Sequence, residues 1–335
     1  MNPFPHPLPL RTDEAALGLR RLVVPTSIGE VAVRTGRDAG GPATILLHGA
    51  AGSWTTWTPL IAASDLRGGA GLSDVVAVDL PGWGESGELD RVRTVEDMSD
   101  AVVELARALG YSSWHVVGHS LGGFVALDVA ARYPDDTLGV TLVSATGTGV
   151  LDAIRRPLRG GIGLPWFAGM LLTMRTLAGP PVGGKGVLRR RIRAAGTGLV
   201  RLIGRLGWLG ALTSPLFAQA VHPSVISAFA EEVRPASFAR AARLAADYEE
   251  RTWTGIRCPV RSVRGARDVF AGEQDAGAFV RLIPDFGEVR LPDAGHFAHV
   301  ERPDAVLAAM DAVTRADRPL RAAAERPFSA GRASA

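Results

Sequence analysis

The chain has 335 residues, of which 47% are hydrophobic, enough for one large domain or for one domain with a sizeable insertion. Its formal net charge of +3 is only mildly basic, and no segment resembles a nucleic-acid recognition motif. A single cysteine, Cys258, excludes an intramolecular disulfide and a zinc site built from cysteines.

The N-terminal part of the chain predicts an arm followed by a hairpin. Residues 1–18 are rich in proline and then polar, with neither the positive leader nor the apolar run of a secretory signal. Short apolar runs at 22–24 and 31–33 flank the turn-forming segment 27–30 and predict two antiparallel strands. Because no apolar stretch reaches the roughly 18 residues of a transmembrane helix, these features together favour a cytoplasmic protein.

Further along, short and nearly continuous apolar runs alternate with helical patterns. Such runs are typical of strands buried on both faces, and they lie at 44–47, 75–78, 114–117 and 140–143. Helical periodicity covers 95–109 and 121–132, and the second pattern ends just before Pro134. Strands that alternate with helices predict an α/β fold with a mostly parallel central sheet flanked by helices.

The alternation stops after the sixth predicted strand and resumes later in the chain. It continues with a strand at 260–263, a helix at 273–282, a strand at 288–291 and a helix from Pro303. The intervening segment 147–254 is helical and apolar with basic residues, and predicts a helical cap inserted into the sheet domain. The core then comprises 19–146 and 255–315, while the Ala-, Arg-, Pro- and Ser-rich residues 316–335 predict a disordered tail.

A candidate nucleophile follows the predicted strand at 114–117. Ser120 is the centre of the Gly-His-Ser-Leu-Gly segment 118–122, which passes directly into a predicted helix, as a nucleophile elbow requires. A strained turn exposes the serine hydroxyl above the sheet, and the flanking glycines let the backbone pass closely on both sides. The sequence therefore predicts that Ser120 is a catalytic nucleophile.

A serine nucleophile needs an imidazole to take its proton and a carboxylate to orient that imidazole. Among the seven histidines, His296 lies on a loop between the last predicted strand and the last helix, at the same edge of the sheet as the serine. His299 is its rival. The candidate acid is Asp268, on the loop after the strand that follows the cap, with Asp275 and Asp293 as weaker alternatives.

Acyl transfer also needs two backbone N–H groups to hold the oxyanion of the tetrahedral intermediate. One comes from the residue after the nucleophile, and the other comes from the loop after the third strand. Those residues are Leu121 and, in the glycine-rich segment 48–53, Ala50.

Together these segments resemble the α/β-hydrolase superfamily, in its capped, esterase- or lipase-like branch. The chain order serine, aspartate, histidine matches the order in that family. The matching segments are Leu-Leu-His-Gly at 46–49, Asp-Leu-Pro-Gly-Trp-Gly-Glu-Ser at 79–86, Gly-His-Ser-Leu-Gly-Gly at 118–123, Gly-Ala-Arg-Asp at 265–268, Ala-Gly-His-Phe at 294–297 and Glu-Arg-Pro at 301–303. The resemblance implies an α/β-hydrolase fold with the cap after the sixth strand.

The resemblance also implies a serine hydrolase that needs no metal or organic cofactor. Serine at the elbow argues against the dehalogenases and epoxide hydrolases of this fold, which use aspartate there. Cleavage of a carboxylic ester of a medium-sized apolar substrate is the leading interpretation. The alternatives are a C–C bond hydrolase, an acyltransferase or cyclase that uses the same triad, and a ligand-binding homologue with slow or no turnover.

In this superfamily the cap roofs the active site and selects the substrate. The candidate substrate-binding residues, three from the apolar cap segments and three beside the predicted triad, are Gly49, His119, Trp166, Phe167, Trp208 and Phe297. Between residues 153 and 230 the cap carries basic but no acidic residues. This charge pattern is consistent with a solvated helical face, with steering of an anionic substrate, or with weak peripheral contact with an anionic membrane.

Overall fold

A computed structural model describes residues 7–68, 71–156, 165–178, 198, 202 and 213–324. In this part of the chain, eight strands form one sheet in the order β1-β2-β4-β3-β5-β6-β7-β8. The strands are β1 Leu19–Thr26, β2 Gly29–Gly36, β3 Ala43–Leu47, β4 Val75–Val78, β5 Trp114–His119, β6 Thr137–Val143, β7 Val260–Gly265 and β8 Phe286–Leu291. Strand β2 is antiparallel to β1 and β4, and the remaining pairs are parallel. The predicted α/β fold with a mostly parallel sheet is confirmed.

Helices lie on both faces of the sheet. They are α1 Thr58–Leu66, α2 Val95–Ala108, α3 Leu121–Arg132, α4 Thr148–Arg155, α5 Pro165–Ala178, α6 Pro223–Glu232, α7 Pro235–Ala246, α8 Glu273–Leu282, α9 Ala298–Glu301 and α10 Pro303–Ala324. Helices α4 to α7 lie between β6 and β7, in the segment predicted as the cap. Helix α10 runs to Ala324, and residues 325–335, the rest of the segment 316–335 predicted to be a disordered tail, lie outside the described residues.

The sheet is buried on both faces because successive side chains of its central strands point to opposite sides. In β3, Ile45 and Leu47 pack into the apolar cluster under α2, α3 and α4, whereas Leu46 packs with Trp57 into the cluster under α1 and α10. All three β3 side chains are fully buried. A strand covered in this way must be apolar at every position, which is why its sequence shows no alternation.

Local signals fix the ends of the helices around the sheet. Thr94 and Asp97 form a capping box at the start of α2, each side chain accepting a hydrogen bond from the other's backbone N–H at 3.1–3.2 Å. Helix α3 ends at Arg132, two residues before Pro134, which lacks the N–H needed to continue it.

Strand order places the loops after β3 and β5 beside each other. Strands β3 and β5 are neighbours, but the chain leaves β3 towards β4 on one side and leaves β5 towards β6 on the other. Such a reversal opens a crevice at the carboxyl edge of a parallel sheet. The loops after β7 and β8 leave the same edge because all these strands are parallel. Residues from four loops can therefore meet there.

One contact in this crevice leaves no room for a side chain. A Cβ atom on Gly122 would lie 2.1 Å from the carbonyl oxygen of Leu47, and backbone cannot move aside as a side chain can. We expect Gly122→Ala to lower the free energy of unfolding by at least about 2 kcal/mol, measured by urea denaturation.

Gly169 provides the matched control, because it also lies in a helix but has no atom within 4 Å of its would-be Cβ. Gly169→Ala should raise the free energy of unfolding by about 0.5–1 kcal/mol. Equal urea midpoints for the two variants would contradict the close approach at Gly122.

Candidate active site

Ser120 occupies the sharp turn between β5 and α3. Its backbone angles are φ 51° and ψ −116°, a region that costs a non-glycine residue on the order of 1–3 kcal/mol. The turn is held by a hydrogen bond from the Ser120 N–H to the Val143 carbonyl at 3.1 Å. A Cβ on Gly118 would lie 2.4 Å from the Gly122 carbonyl oxygen, so the turn closes only with glycine there. The predicted elbow geometry is therefore present.

His296 and Asp268 form a buried pair. The imidazole Nδ1 lies 2.9 and 3.1 Å from the two carboxylate oxygens, and neither side chain is more than 4% exposed. The carboxylate also accepts the N–H groups of Phe270 and Ala271 at 2.8 and 3.0 Å. Burial opposes ionisation of Asp268, but the imidazole and these N–H groups outweigh it and lower the pKa of the carboxyl. The proton on Nδ1 leaves Nε2 as an acceptor.

The loop after β3 is oriented by His48. Its Nε2 accepts the Leu80 N–H at 3.0 Å, so its Nδ1 carries the proton and donates to the Gly49 carbonyl at 2.7 Å. The same carbonyl accepts the N–H of Gly52 at 3.1 Å. In a planar trans peptide the N–H points opposite to the C=O, so the Ala50 N–H points away from these partners. His48 is a contribution that the sequence analysis did not foresee.

Ser120 and His296 line one apolar cavity of about 120 Å³. Its walls come from the elbow, the loops after β3, β6, β7 and β8, and helices α3 to α7. The described lining residues are Ala50, Ala51, His119, Ser120, Leu121, Phe124, Thr146, Gly147, Val150, Leu151, Ile154, Phe167, Met170, Met174, Leu216, Phe229, Val233, Phe238, Ala241, Ala242, Ala245, Phe270, His296 and Phe297. None of these is charged at neutral pH unless a histidine is protonated.

The predicted substrate contacts divide into three groups. His119, Phe167 and Phe297 line the cavity, and Gly49 lies directly beside Ser120, since a Cβ on Gly49 would lie 3.0 Å from the serine Cβ. Trp208 lies outside the described residues. Trp166 lies in the first turn of α5, but its side chain is outside the described part of the structure.

Most of the cavity wall consists of residues that no sequence motif predicted. Val150 and Ile154 lie four residues apart on α4, and Ala241 and Ala245 are similarly spaced on α7, so each pair faces the cavity from one side of its helix. Helical spacing could have grouped these residues. It could not have separated a cavity wall from a core, because both are apolar.

The rival histidine and one rival acid lie elsewhere in the site region. His299 is fully buried with its ring 4.5 Å from the His119 ring and 4.7 Å from the Trp57 ring. Burial, together with the nearby His296, lowers the pKa of His299 to about 3, so it stays neutral. Asp293 forms an ion pair with Arg302, whose Nη1 donates to both carboxylate oxygens at 2.8 and 2.9 Å.

Asp275, the other rival acid, anchors the start of α4. Its oxygens accept the N–H groups of Gly149 at 2.7 Å and Gly272 at 3.0 Å. Burial raises the pKa of Asp275 to about 6, because these two hydrogen bonds only partly offset the loss of water. The contact joins α8 to the first helix after β6.

The described residues include no group of three or more His, Cys, Asp or Glu side chains that could hold a metal ion. No helix in the described ranges is long and apolar enough to cross a membrane. What the site does contain is a hydroxyl on a strained turn, an imidazole oriented by a carboxylate, and an apolar cavity beside them. These groups are suited to acyl transfer.

The chain belongs to the alpha/beta hydrolase family, whose sequence profile matches residues 44–309. The first curated relatives match over only about a third of their own length. One is the dihydrolipoyllysine-residue acetyltransferase component of the acetoin cleaving system of Cupriavidus necator, 38% identical over 37% of this chain and 32% of that protein.

Other relatives match over most of the chain. The 2-(acetamidomethylene)succinate hydrolase of Mesorhizobium japonicum is 26% identical over 84% of this chain and 91% of its own. Among solved structures, a thermophilic esterase from Thermogutta terrifontis superposes with a TM-score of 0.63 at 22% identity, covering 89% of this chain and 99% of that chain. These similarities support an α/β-hydrolase.

The raised pKa of Asp275 predicts a pH-dependent contribution to stability. Its folded pKa of about 6 lies above the ordinary 3.8, so its contribution is fully present below pH 3.8 and is lost as the pH rises through 6. Between pH 4 and pH 7.5, wild type should lose roughly 1–3 kcal/mol of unfolding free energy relative to Asp275→Asn, measured by urea denaturation.

Asp135→Asn is the control, because Asp135 is 86% exposed and pairs with Arg257 on the surface. The difference in unfolding free energy between wild type and this variant should stay below about 1 kcal/mol, because an exposed ion pair contributes little to stability. A difference between wild type and Asp275→Asn that is constant from pH 4 to 7.5 would contradict the raised pKa.

Proposed function

We propose that this α/β-hydrolase is a serine hydrolase that cleaves a carboxylic ester of a medium-sized apolar substrate through an acyl-enzyme on Ser120. The observation that carries the proposal is the His296–Asp268 pair, joined at 2.9 Å. The imidazole of this pair lines the same apolar cavity as the strained Ser120.

In the proposed reaction, His296 acts as base and then as acid. Its Nε2 takes the hydroxyl proton as Ser120 Oγ attacks the ester carbonyl carbon. The protonated imidazole then donates that proton to the departing alcohol, and the acyl group remains on Ser120. Water that gives its proton to Nε2 attacks the acyl-enzyme, and the serine leaves with that proton as the acid is released. Asp268 stays ionised throughout, consistent with the lowered pKa of its carboxyl.

In this proposal, the backbone N–H groups of Leu121 and Ala50 hold the oxyanion. Leu121 is the first residue of α3, so its N–H has no acceptor within the helix. The Ala50 N–H points away from the partners of the Gly49 carbonyl, and both residues line the cavity. Removing one such donor typically costs on the order of a hundred- to a thousandfold in rate.

The cavity favours an apolar acyl or alcohol group over a charged one. The polar side chains in its described lining belong to His119, Ser120, Thr146 and His296. Two relatives are named for dicarboxylate substrates, a succinate and a nonadienedioate. The described lining supplies no lysine or arginine to pair with a second carboxylate. Its apolar side chains support an apolar ester as the substrate.

A fluorophosphonate probe tests the nucleophile. Wild type should be labelled covalently, and Ser120→Ala should lose labelling and at least about a thousandfold of the esterase kcat. Ser144→Ala is the matched control, since Ser144 is a buried serine with positive φ at the end of the neighbouring β6. Equal labelling of Ser120→Ala and wild type would refute the assignment.

The length of the apolar cavity predicts a chain-length preference. Each methylene buried is worth about 0.8 kcal/mol, so kcat/KM for 4-nitrophenyl esters should rise up to about fourfold per carbon from acetate until the cavity is full. Ala245→Leu narrows the cavity and should move the plateau to shorter chains, whereas Ala246→Leu, outside the lining, should not. A flat dependence from acetate onwards would contradict an acyl cavity.

A further inference from the structure

Glu301 is a buried carboxylate that the proposed reaction does not use. It belongs to the Glu-Arg-Pro segment at 301–303, which the sequence analysis identified without a role. Its residue is only 3% exposed, at the end of α9, five residues after His296. A buried carboxylate is costly unless its oxygens accept hydrogen bonds, so the identity of its partners is informative.

Glu301 accepts hydrogen bonds from backbone N–H groups of two segments that are distant in sequence. Oε2 accepts the N–H of Gly295 at 2.8 Å, next to His296. Oε1 accepts the N–H groups of Ala218 at 2.6 Å and Gln219 at 2.9 Å, in the chain between β6 and β7. One side chain thus joins the loop that carries His296 to the predicted cap.

Further contacts join the same two segments, which we call the histidine loop, 293–297, and the docking segment, 216–219. The His296 N–H donates to the Leu216 carbonyl at 2.8 Å, and the Gln219 side chain donates to the Asp293 carbonyl at 2.6 Å. The Phe217 and Phe297 rings stack with centroids 5.1 Å apart.

Gly295 makes this approach possible. A Cβ at this position would lie 2.4 Å from the Leu216 carbonyl oxygen, so only glycine lets the two backbones meet. Leu216 itself lines the cavity beside Ser120. The docking segment therefore contacts both the space for substrate and the backbone of the histidine.

We infer that Glu301 is a positioning residue, which fixes the backbone of His296 against the docking segment and so holds the imidazole in line with Ser120. The inference rests on the proposed function, because it assigns a role in the same reaction. Rate depends steeply on such alignment, since a displacement of about 1 Å can cost on the order of a hundredfold. Substrate binding depends less on it, because Glu301 does not line the cavity and most of the described wall comes from helices α3 to α7.

Glu301→Gln keeps the size of the side chain but replaces one acceptor oxygen with a donor amide. Gly295 loses its partner if the amide takes the Oε2 position, and Ala218 and Gln219 both lose theirs if it takes the Oε1 position. We expect kcat for a 4-nitrophenyl ester to fall about ten- to hundredfold. KM should change less than about threefold, and the rate constant for fluorophosphonate labelling should fall in parallel with kcat.

Asp74→Asn is the matched control. Asp74 is also buried, and its two oxygens also accept three backbone N–H groups, from Ala39, Gly40 and Gly41, each at 3.2 Å. It precedes β4, at the edge of the sheet opposite the site. Asp74→Asn should lose stability to urea but keep kcat within about twofold of wild type.

The outcomes separate the inference from the proposed function. If wild type neither hydrolyses esters nor reacts with the probe, the proposed function fails. If wild type does both and Glu301→Gln keeps kcat within twofold, or if Asp74→Asn loses kcat equally, the positioning role is wrong. If Glu301→Gln does not fold, Gln219→Ala decides: a severalfold loss of kcat at constant KM supports the role, and an unchanged kcat overturns it.

Discussion

The close packing of the turn after β5 against the end of β3 determines the geometry of the whole site. The Leu47 carbonyl oxygen occupies the place where a side chain on Gly122 would be, and the Gly122 carbonyl occupies the place of one on Gly118. With these backbones in contact, the turn is tight enough to hold Ser120 at φ 51°. The strain is local, and the hydrogen bond to Val143 in the next strand holds it in place.

Two buried carboxylates lie near His296, and the pKa values of these carboxylates shift in opposite directions. Asp268 and Glu301 are both carboxylates removed from water, and each is surrounded by backbone N–H groups. Their pKa values differ because their surroundings differ. The His296 imidazole helps to lower the pKa of Asp268. Burial raises the pKa of Glu301, and the N–H groups that it accepts only partly oppose the rise. An ionised acid beside the imidazole is what a base of this kind requires.

The cavity and the histidine loop are parts of one arrangement. Leu216 contributes its side chain to the cavity and its carbonyl to the His296 N–H. His119, which also lines the cavity, places its Nε2 2.9 Å from the His296 carbonyl. Burial and the neighbouring His299 and His296 rings lower the pKa of His119, so it donates from a neutral ring. The His296 backbone is thus held at both its N–H and its carbonyl.

The sequence by itself predicted the fold, and it offered Ser120, Asp268 and His296 as candidates for the centre of the site. Strands and helices with uniform or periodic apolar patterns were placed within a few residues, and the turn at Ser120 followed from glycine spacing, because each of these signals is local. Composition is a weaker signal, and helix α10 continues to Ala324, into the segment predicted as a tail.

Only the tertiary structure showed which carboxylate contacts His296, brought together the apolar wall that includes Val150 and Ala245, and gave Glu301 its contacts. Those facts depend on segments far apart in the chain meeting at one edge of the sheet. No local pattern encodes such distances.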